Sequence, residues 1–216
     1  MKYMLLLFSI VTSFSGCAQS SSKTAGQNTK VHVGGSCEGC EAIYESPISF
    51  ELLDAVDTIP GFREKAAPLE LSGIVYQRDG KTPAAGVVIY IYHTDEHGIY
   101  PTKGDEKGWA QRHGYLRGWV KTDEKGAYRF YTSRPASYPN SNNPQHIHVT
   151  LKEPGLNEYW IDEFHFTDDP MLTSSMVRAE RKRGGSGILN PLLDKGLWKV
   201  KRDIVLGMNI EDYPTN

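Results

Sequence analysis

Cysteine is scarce, with three in 216 residues, at positions 17, 37 and 40. So few cannot build a disulfide-dense scaffold, and without a second Cys-x-x-Cys they cannot complete a four-cysteine zinc site. Cys37-Glu38-Gly39-Cys40 is followed by Glu41 rather than histidine, which excludes covalent haem attachment. No βαβ pattern surrounds it, which argues against a thioredoxin-like redox site. Excess charge is lacking too: a formal net charge of −2 gives no electrostatic reason to expect nucleic acid as a partner. Long apolar runs are also missing. The run from Met4 to Val11 is too short to cross a bilayer as a helix.

What that short run suggests is export. Lys2 precedes it, and Phe14-Ser15-Gly16-Cys17 closes it in the manner of a bacterial lipoprotein signal, with Cys17 as the lipidated first residue. An ordinary secretory signal cleaved nearby is the alternative. The several acyl chains of a lipoprotein cysteine suffice for stable anchoring, where one chain is marginal. The expectation is therefore an exported protein held on the membrane, in the periplasm or at the cell surface of a bacterium. Residues 18–35 read as a flexible tether and 36–68 as an N-terminal extension wrapping a domain edge. In an oxidising compartment, Cys37 and Cys40 are expected to form a small local disulfide.

Twelve tyrosines, four tryptophans and 21 glycines favour β structure with many turns over a helical bundle. Strands are expected at 70–76, 86–93, 117–121, 127–132, 146–152, 159–166 and 198–206. Turn signals such as Asp79-Gly80 and Glu124-Lys125-Gly126 separate them, and a short helix is expected near 174–183. Short strands at regular spacing argue for an all-β protein, a β-sandwich over residues 69–216 with short helical and loop extensions. No internal repeat is present.

The chemistry concentrates between Tyr100 and His148. In Gln145-His146-Ile147-His148-Val149 two histidines alternate within a β-branched run. Both imidazoles therefore share one face of one strand. Tyr138, in the loop just before, and Tyr100, in Glu96-His97-Gly98-Ile99-Tyr100-Pro101, can each add a phenol. Two phenolates and two neutral imidazoles suit hard ferric iron. With a hydroxide, three anions balance Fe(III), so a low-dielectric pocket need hold no net charge. Keeping one tyrosine ionised at pH 7 costs roughly 4 kcal/mol, which a trivalent cation supplies.

Several motifs stand in one order: Ser72-Gly73-Ile74-Val75, Asp95-Glu96-His97-Gly98-Ile99-Tyr100, Leu116-Arg117-Gly118, Thr122 to Phe130, Tyr138-Pro139, His146-Ile147-His148, and Phe166 with Asp169-Pro170. In this, residues 70–170 resemble the intradiol ring-cleavage dioxygenases, which are non-haem ferric enzymes. The resemblance implies an intradiol-type sandwich and an Fe(III) cofactor held by Tyr100, Tyr138, His146 and His148, with Tyr138 and His148 axial. It also implies a small aromatic diol and O2 as partners, with Tyr138 as a base displaced by the diol and a muconate-type diacid as product. A homo-oligomer is compatible with it. Tyr115 is a competing phenol, but its neighbours match a different landmark. His165 is the best of the other histidines for an outer role.

Two positions depart from the family pattern. Asn143 stands where many members carry an arginine, and Glu163 where a glutamine is frequent. Both are catalytic candidates, and losing a positive charge while gaining a negative one should disfavour carboxylated diols such as protocatechuate. Arg112 or Arg134 could restore a charge from the loops. Two rival readings are a transthyretin-like or carboxypeptidase-regulatory-like surface module, which needs no metal, and an iron-binding homologue without turnover.

Overall fold

In the computed structural model, residues 32–63 and 67–215 are described. The expected signal, Cys17 and most of the tether lie outside them. Among the described residues, twelve strands and two short α-helices follow in order, after two 3-10 turns at Cys40–Glu45 and Phe50–Leu52: β1 (Val56–Thr58), β2 (Pro68–Tyr76), β3 (Val88–Tyr92), α1 (Ala110–His113), β4 (Arg117–Lys121), β5 (Ala127–Ser133), β6 (His146–Lys152), β7 (Glu158–Trp160), β8 (Phe164–Phe166), α2 (Ser174–Ala179), β9 (Ile188–Leu189), β10 (Leu192–Asp194), β11 (Leu197–Lys201) and β12 (Ile204–Val205). They form two sheets. One runs β1-β5-β2-β11-β10, with β12 also on β2; the other runs β4-β3-β6-β8-β9, with β7 also on β6. Among the described residues, no helix is long and apolar enough to cross a membrane.

The main core lies between the sheets. Leu69, Leu71 and Val75 of β2 face Ile89 and Ile91 of β3 and Ile147, Val149 and Leu151 of β6 across it. Burial along β2 alternates residue by residue, as expected when one face meets the core and the other meets solvent. In β3 it does not alternate: Val88 to Ile91 are all buried. The reason is the N-terminal segment. Ala42, Ile43 and Leu53 pack on the outer face of this sheet against Val88, Tyr90 and Trp119 and form a second apolar cluster. Trp119 Nε1 donates to the Ile43 carbonyl at 2.8 Å.

The extension is therefore part of the sandwich, and this corrects the expected boundaries. β1 adds a parallel strand to β5 upstream of residue 69. Val33, within the expected tether, is buried in the main core, and the Asn157 side chain accepts from its N–H at 2.9 Å and donates to its carbonyl at 2.9 Å. An apolar side chain and two satisfied backbone groups give that position reason to dock. Cys37 and Cys40 are joined by a disulfide, with Cα atoms 5.7 Å apart. Two expected strands are each broken. The run 159–166 opens at 161–163 between β7 and β8, which releases Glu163 from the ladder; 198–206 divides into β11 and β12.

Candidate metal centre

The alternation in β6 decides where the site lies. Ile147, Val149 and Leu151 enter the core, so His146 and His148 point from the opposite, outer face of the sheet. Each imidazole is fixed through its Nδ1. His146 Nδ1–H donates to the Pro144 carbonyl at 2.7 Å, and His148 Nδ1–H to Glu163 Oε1 at 2.8 Å. Carbonyls and carboxylates only accept, so in the neutral form of each imidazole the lone pair lies on Nε2.

The two phenols arrive on loops stitched together. Asp95 Oδ1 accepts from the N–H groups of His97 (2.8 Å) and Ile99 (3.1 Å), which folds the Tyr100 loop on itself. The Asp95 carbonyl then accepts from Ala136 N–H at 2.9 Å, and Thr94 Oγ1 donates to the Ala136 carbonyl at 2.6 Å. Gly98 lets the loops touch. Its φ is +77°, and a Cβ there would lie 2.0 Å from the Ser137 carbonyl oxygen.

The result is convergence. Tyr100 Oη lies 2.8 Å from His148 Nε2; Tyr138 Oη lies 3.2 Å from His148 Nε2 and 3.0 Å from His146 Nε2. The two hydroxyls are in direct contact with each other. Metal bonds of ~2.1 Å at right angles place neighbouring donors ~3.0 Å apart, so these spacings suit one ion. Burial raises the pKa of both phenols; their mutual hydrogen bond adds to this at Tyr100 and partly offsets it at Tyr138, and the charge of Glu163 adds a smaller rise at both. A cation replacing the phenolic protons would reverse that penalty. Burial holds His146 below its ordinary pKa, in the neutral form that ligation needs. His146, His148 and Glu163 also approach each other closely enough to form a carboxylate-containing trio. Yet Glu163 occupies the Nδ1 side of His148, behind the imidazole rather than among the phenols. Burial works against its carboxylate charge, but the His148 hydrogen bond and the neighbouring imidazoles outweigh that and hold its pKa at about 2.

The other expected residues fall around this cluster. Asn143 lines a 510 Å³ cavity together with His146, Glu163 and His165. His165 Nε2 is 3.7 Å from Glu163 Oε2, one layer further out. Tyr115 is not in the cluster; Lys103 sits over its ring. Neither arginine brings a free charge to the phenols. Arg134 is committed to Asp168 and Gln145, and Arg112 pairs with Glu38 at 2.7 Å while lining a 220 Å³ cavity with Tyr92 and Tyr100.

Sequence reasoning missed Tyr92. Its ring stacks on His148 (4.4 Å between centroids, 14° between planes) and on His113 (3.7 Å, 4°), and His113 Nδ1 in turn meets the Tyr90 hydroxyl at 2.9 Å. The signal was its cross-strand register, Tyr92 opposite His148, which needs the β3–β6 pairing to be known. Also missed was the disulfide segment. Cys37, Glu38 and Gly39 line a 360 Å³ cavity with Tyr92, His148 and Glu163.

A family model described as Dioxygenase matches residues 54–185, more than half of the chain. The chain belongs to the intradiol dioxygenase family. It is 28% identical over 166 residues to catechol 1,2-dioxygenase 1 of Acinetobacter lwoffii, covering 69% of this chain and 49% of that protein. It is 29% identical over 108 residues to the protocatechuate 3,4-dioxygenase beta chain of Burkholderia cepacia, covering 47% and 46%. The chain thus spans about half the length of these curated relatives. Among solved structures, catechol 1,2-dioxygenase of Acinetobacter radioresistens aligns with a TM-score of 0.52 at 15% identity over 70% of this chain and 56% of that one. The dioxygenase domain of a carbohydrate-binding fusion from Streptomyces sp. SirexAA-E aligns at 0.50 and 24%, covering 65% and 80%. These likenesses show the β-sandwich fold that the chain shares with its family.

Proposed function

We propose that Tyr100, Tyr138, His146 and His148 hold Fe(III) and that the protein uses O2 to cleave a catechol between its two hydroxyl-bearing carbons. Both oxygen atoms enter the product, a muconate-type diacid. The observation that carries this reading is the chain of contacts, each 3.2 Å or shorter, that joins two phenol oxygens and the Nε2 atoms of two histidines from one strand face. A binding module has no use for such a cluster.

When bound, ferric iron supplies the Lewis acidity and one-electron reactivity that open a diol-bearing ring to dioxygen. The protein's own residues bind, orient and move protons. Tyr138, whose phenol is made more basic by burial, accepts a proton from the incoming diol at its Oη. His146 and His148 are held in register by Pro144 and Glu163, so no reorientation is needed when the substrate arrives. Tyr92 covers one face of His148 and keeps water from it. Asn143 stands in the cavity wall beside His146 without adding charge, and Glu163 adds a negative charge to the same wall. The Cys37–Cys40 disulfide supports the companion proposal that the protein is exported, with a lipid anchor at Cys17.

The test is a visible spectrum with iron analysis on the soluble chain starting after Cys17. Two tyrosinates on Fe(III) give a red-brown charge-transfer band that moves when catechol is added without oxygen. His148→Ala should lose both iron and turnover. An active, iron-loaded His148→Ala protein, or a wild type that stays colourless after iron loading, would sink the assignment. A coloured protein that binds catechol yet never turns over would leave an iron-binding homologue.

A further inference from the structure

The space beside the cluster is larger than one ring requires, and its lining is uneven. The 510 Å³ cavity starts at His146 and Glu163 and runs out beneath α2, where Leu172, Met176, Ala179 and Ile188 form an apolar wall. Cavities of this order enclose drug-sized ligands rather than a lone diol ring. α2 buries none of its own residues, and its Met176 and Val177 remain 38% and 39% exposed. Methionine is the side chain best able to adapt to a variable apolar group.

Trp160 stands at the boundary between this cavity and the 360 Å³ one under the disulfide segment, and Glu163 lines both. The indole is fixed: its Nε1 donates to the Ser36 carbonyl at 3.2 Å, and the Arg183 guanidinium lies 3.7 Å from the ring centroid. It offers the 510 Å³ cavity a rigid aromatic wall. Charge on the cavity wall is one-sided. Asp162, Glu163 and Glu180 outnumber Arg181 on the lining itself, with Arg183 and Arg202 acting on Asp162 from behind it, so an entering carboxylate meets more acidic than basic groups on the cavity surface.

We infer that the site is built for catechols bearing a bulky apolar or aryl substituent and no carboxylate, with the diol at the phenol–imidazole cluster and the substituent running past Trp160 onto Leu172, Met176 and Ile188. This rests on the iron-dependent reading above and adds the substrate class to it. The apolar wall favours the substituent, and the acidic lining excludes its acidic analogue.

The iron-loaded protein should be titrated anaerobically with catechol, 4-phenylcatechol and 3,4-dihydroxybenzoate, with tryptophan fluorescence and the visible band as readouts. The aryl catechol is expected to bind about tenfold or more tighter than catechol, the scale on which an apolar pocket rewards added apolar atoms. The carboxylated diol should bind more weakly than either. Met176→Phe, at a half-exposed helix position, should bring the aryl-to-plain ratio towards one, and Leu172→Phe gives a second occlusion of the same wall. Equal binding of catechol and 4-phenylcatechol, or a ratio unmoved in both variants, would overturn the inference and leave ring cleavage standing. A protein that takes up no iron and binds none of the three diols would overturn both.

Discussion

Gly98→Ala tests whether the two phenols depend on backbone contact between their loops. A Cβ at residue 98 would sit 2.0 Å from the Ser137 oxygen, 2.9 Å from its carbonyl carbon and 3.0 Å from Pro139 Cδ. An ordinary carbon–oxygen contact is ~3.3 Å, so one loop must retreat by about 1.3 Å from the other. Tyr100 lies two residues beyond Gly98 and Tyr138 one beyond Ser137, so the retreat separates the two hydroxyls that now touch. Misplacement of ~1 Å in a catalytic arrangement costs on the order of 100-fold in rate. The control is Gly104→Ala, at φ +96° with nothing within 4 Å of the new Cβ. It carries backbone strain alone, about 1–2 kcal/mol, for which thermal melting should fall by a few degrees. Gly98→Ala carries comparable strain plus an overpacking cost of about 1–3 kcal/mol. Melting curves, iron content and the charge-transfer band separate the two effects. If Gly98→Ala melts with Gly104→Ala and keeps full iron and colour, the phenols do not rely on this contact.

Glu163 accepts from His148 Nδ1–H at 2.8 Å, so Glu163→Gln, which retains an acceptor oxygen, should hold iron against a chelator nearly as well as wild type. Glu163→Ala should hold it about 10–100-fold less well, and equal retention in both variants would mean that Glu163 does not position His148. His93 gives a pH dependence of stability: it is fully buried, its Nδ1–H donating to the Thr94 carbonyl at 2.7 Å and its Nε2 accepting from Thr132 Oγ1 at 2.6 Å. Burial holds its pKa at about 4, against 6.5 when unfolded. Below pH 6.5 the unfolded chain therefore binds the extra proton, and about 3 kcal/mol of stability is lost as pH falls from 6.5 to 4. Urea unfolding at pH 7 and 4.5 should show a smaller acid loss for His93→Gln, and an unchanged loss would refute the assignment.

Much of this was legible in the chain itself. Period-two patterning and turn residues are local properties, so the expected strands coincide with β2 to β6 to within two residues. The spacing of His146 and His148 was enough to put both rings on one face. The extension could not be read the same way. Ala42, Ile43 and Leu53 have no periodicity of their own, and only the sheet face they cover makes sense of them. Likewise the roles of Glu163 and Tyr92 depend on a broken strand and a cross-strand register. The sequence determined the ingredients and the pleat: two histidines on one side of one strand, two tyrosines on loops, a sandwich to carry them. Only the tertiary structure decided that the phenols meet the imidazoles, that Glu163 stands behind His148 rather than among the phenols, and that a disulfide-closed segment walls the site. Those arrangements join residues tens of positions apart, and chain-distant contacts are set by how sheets and loops pack rather than by local pattern.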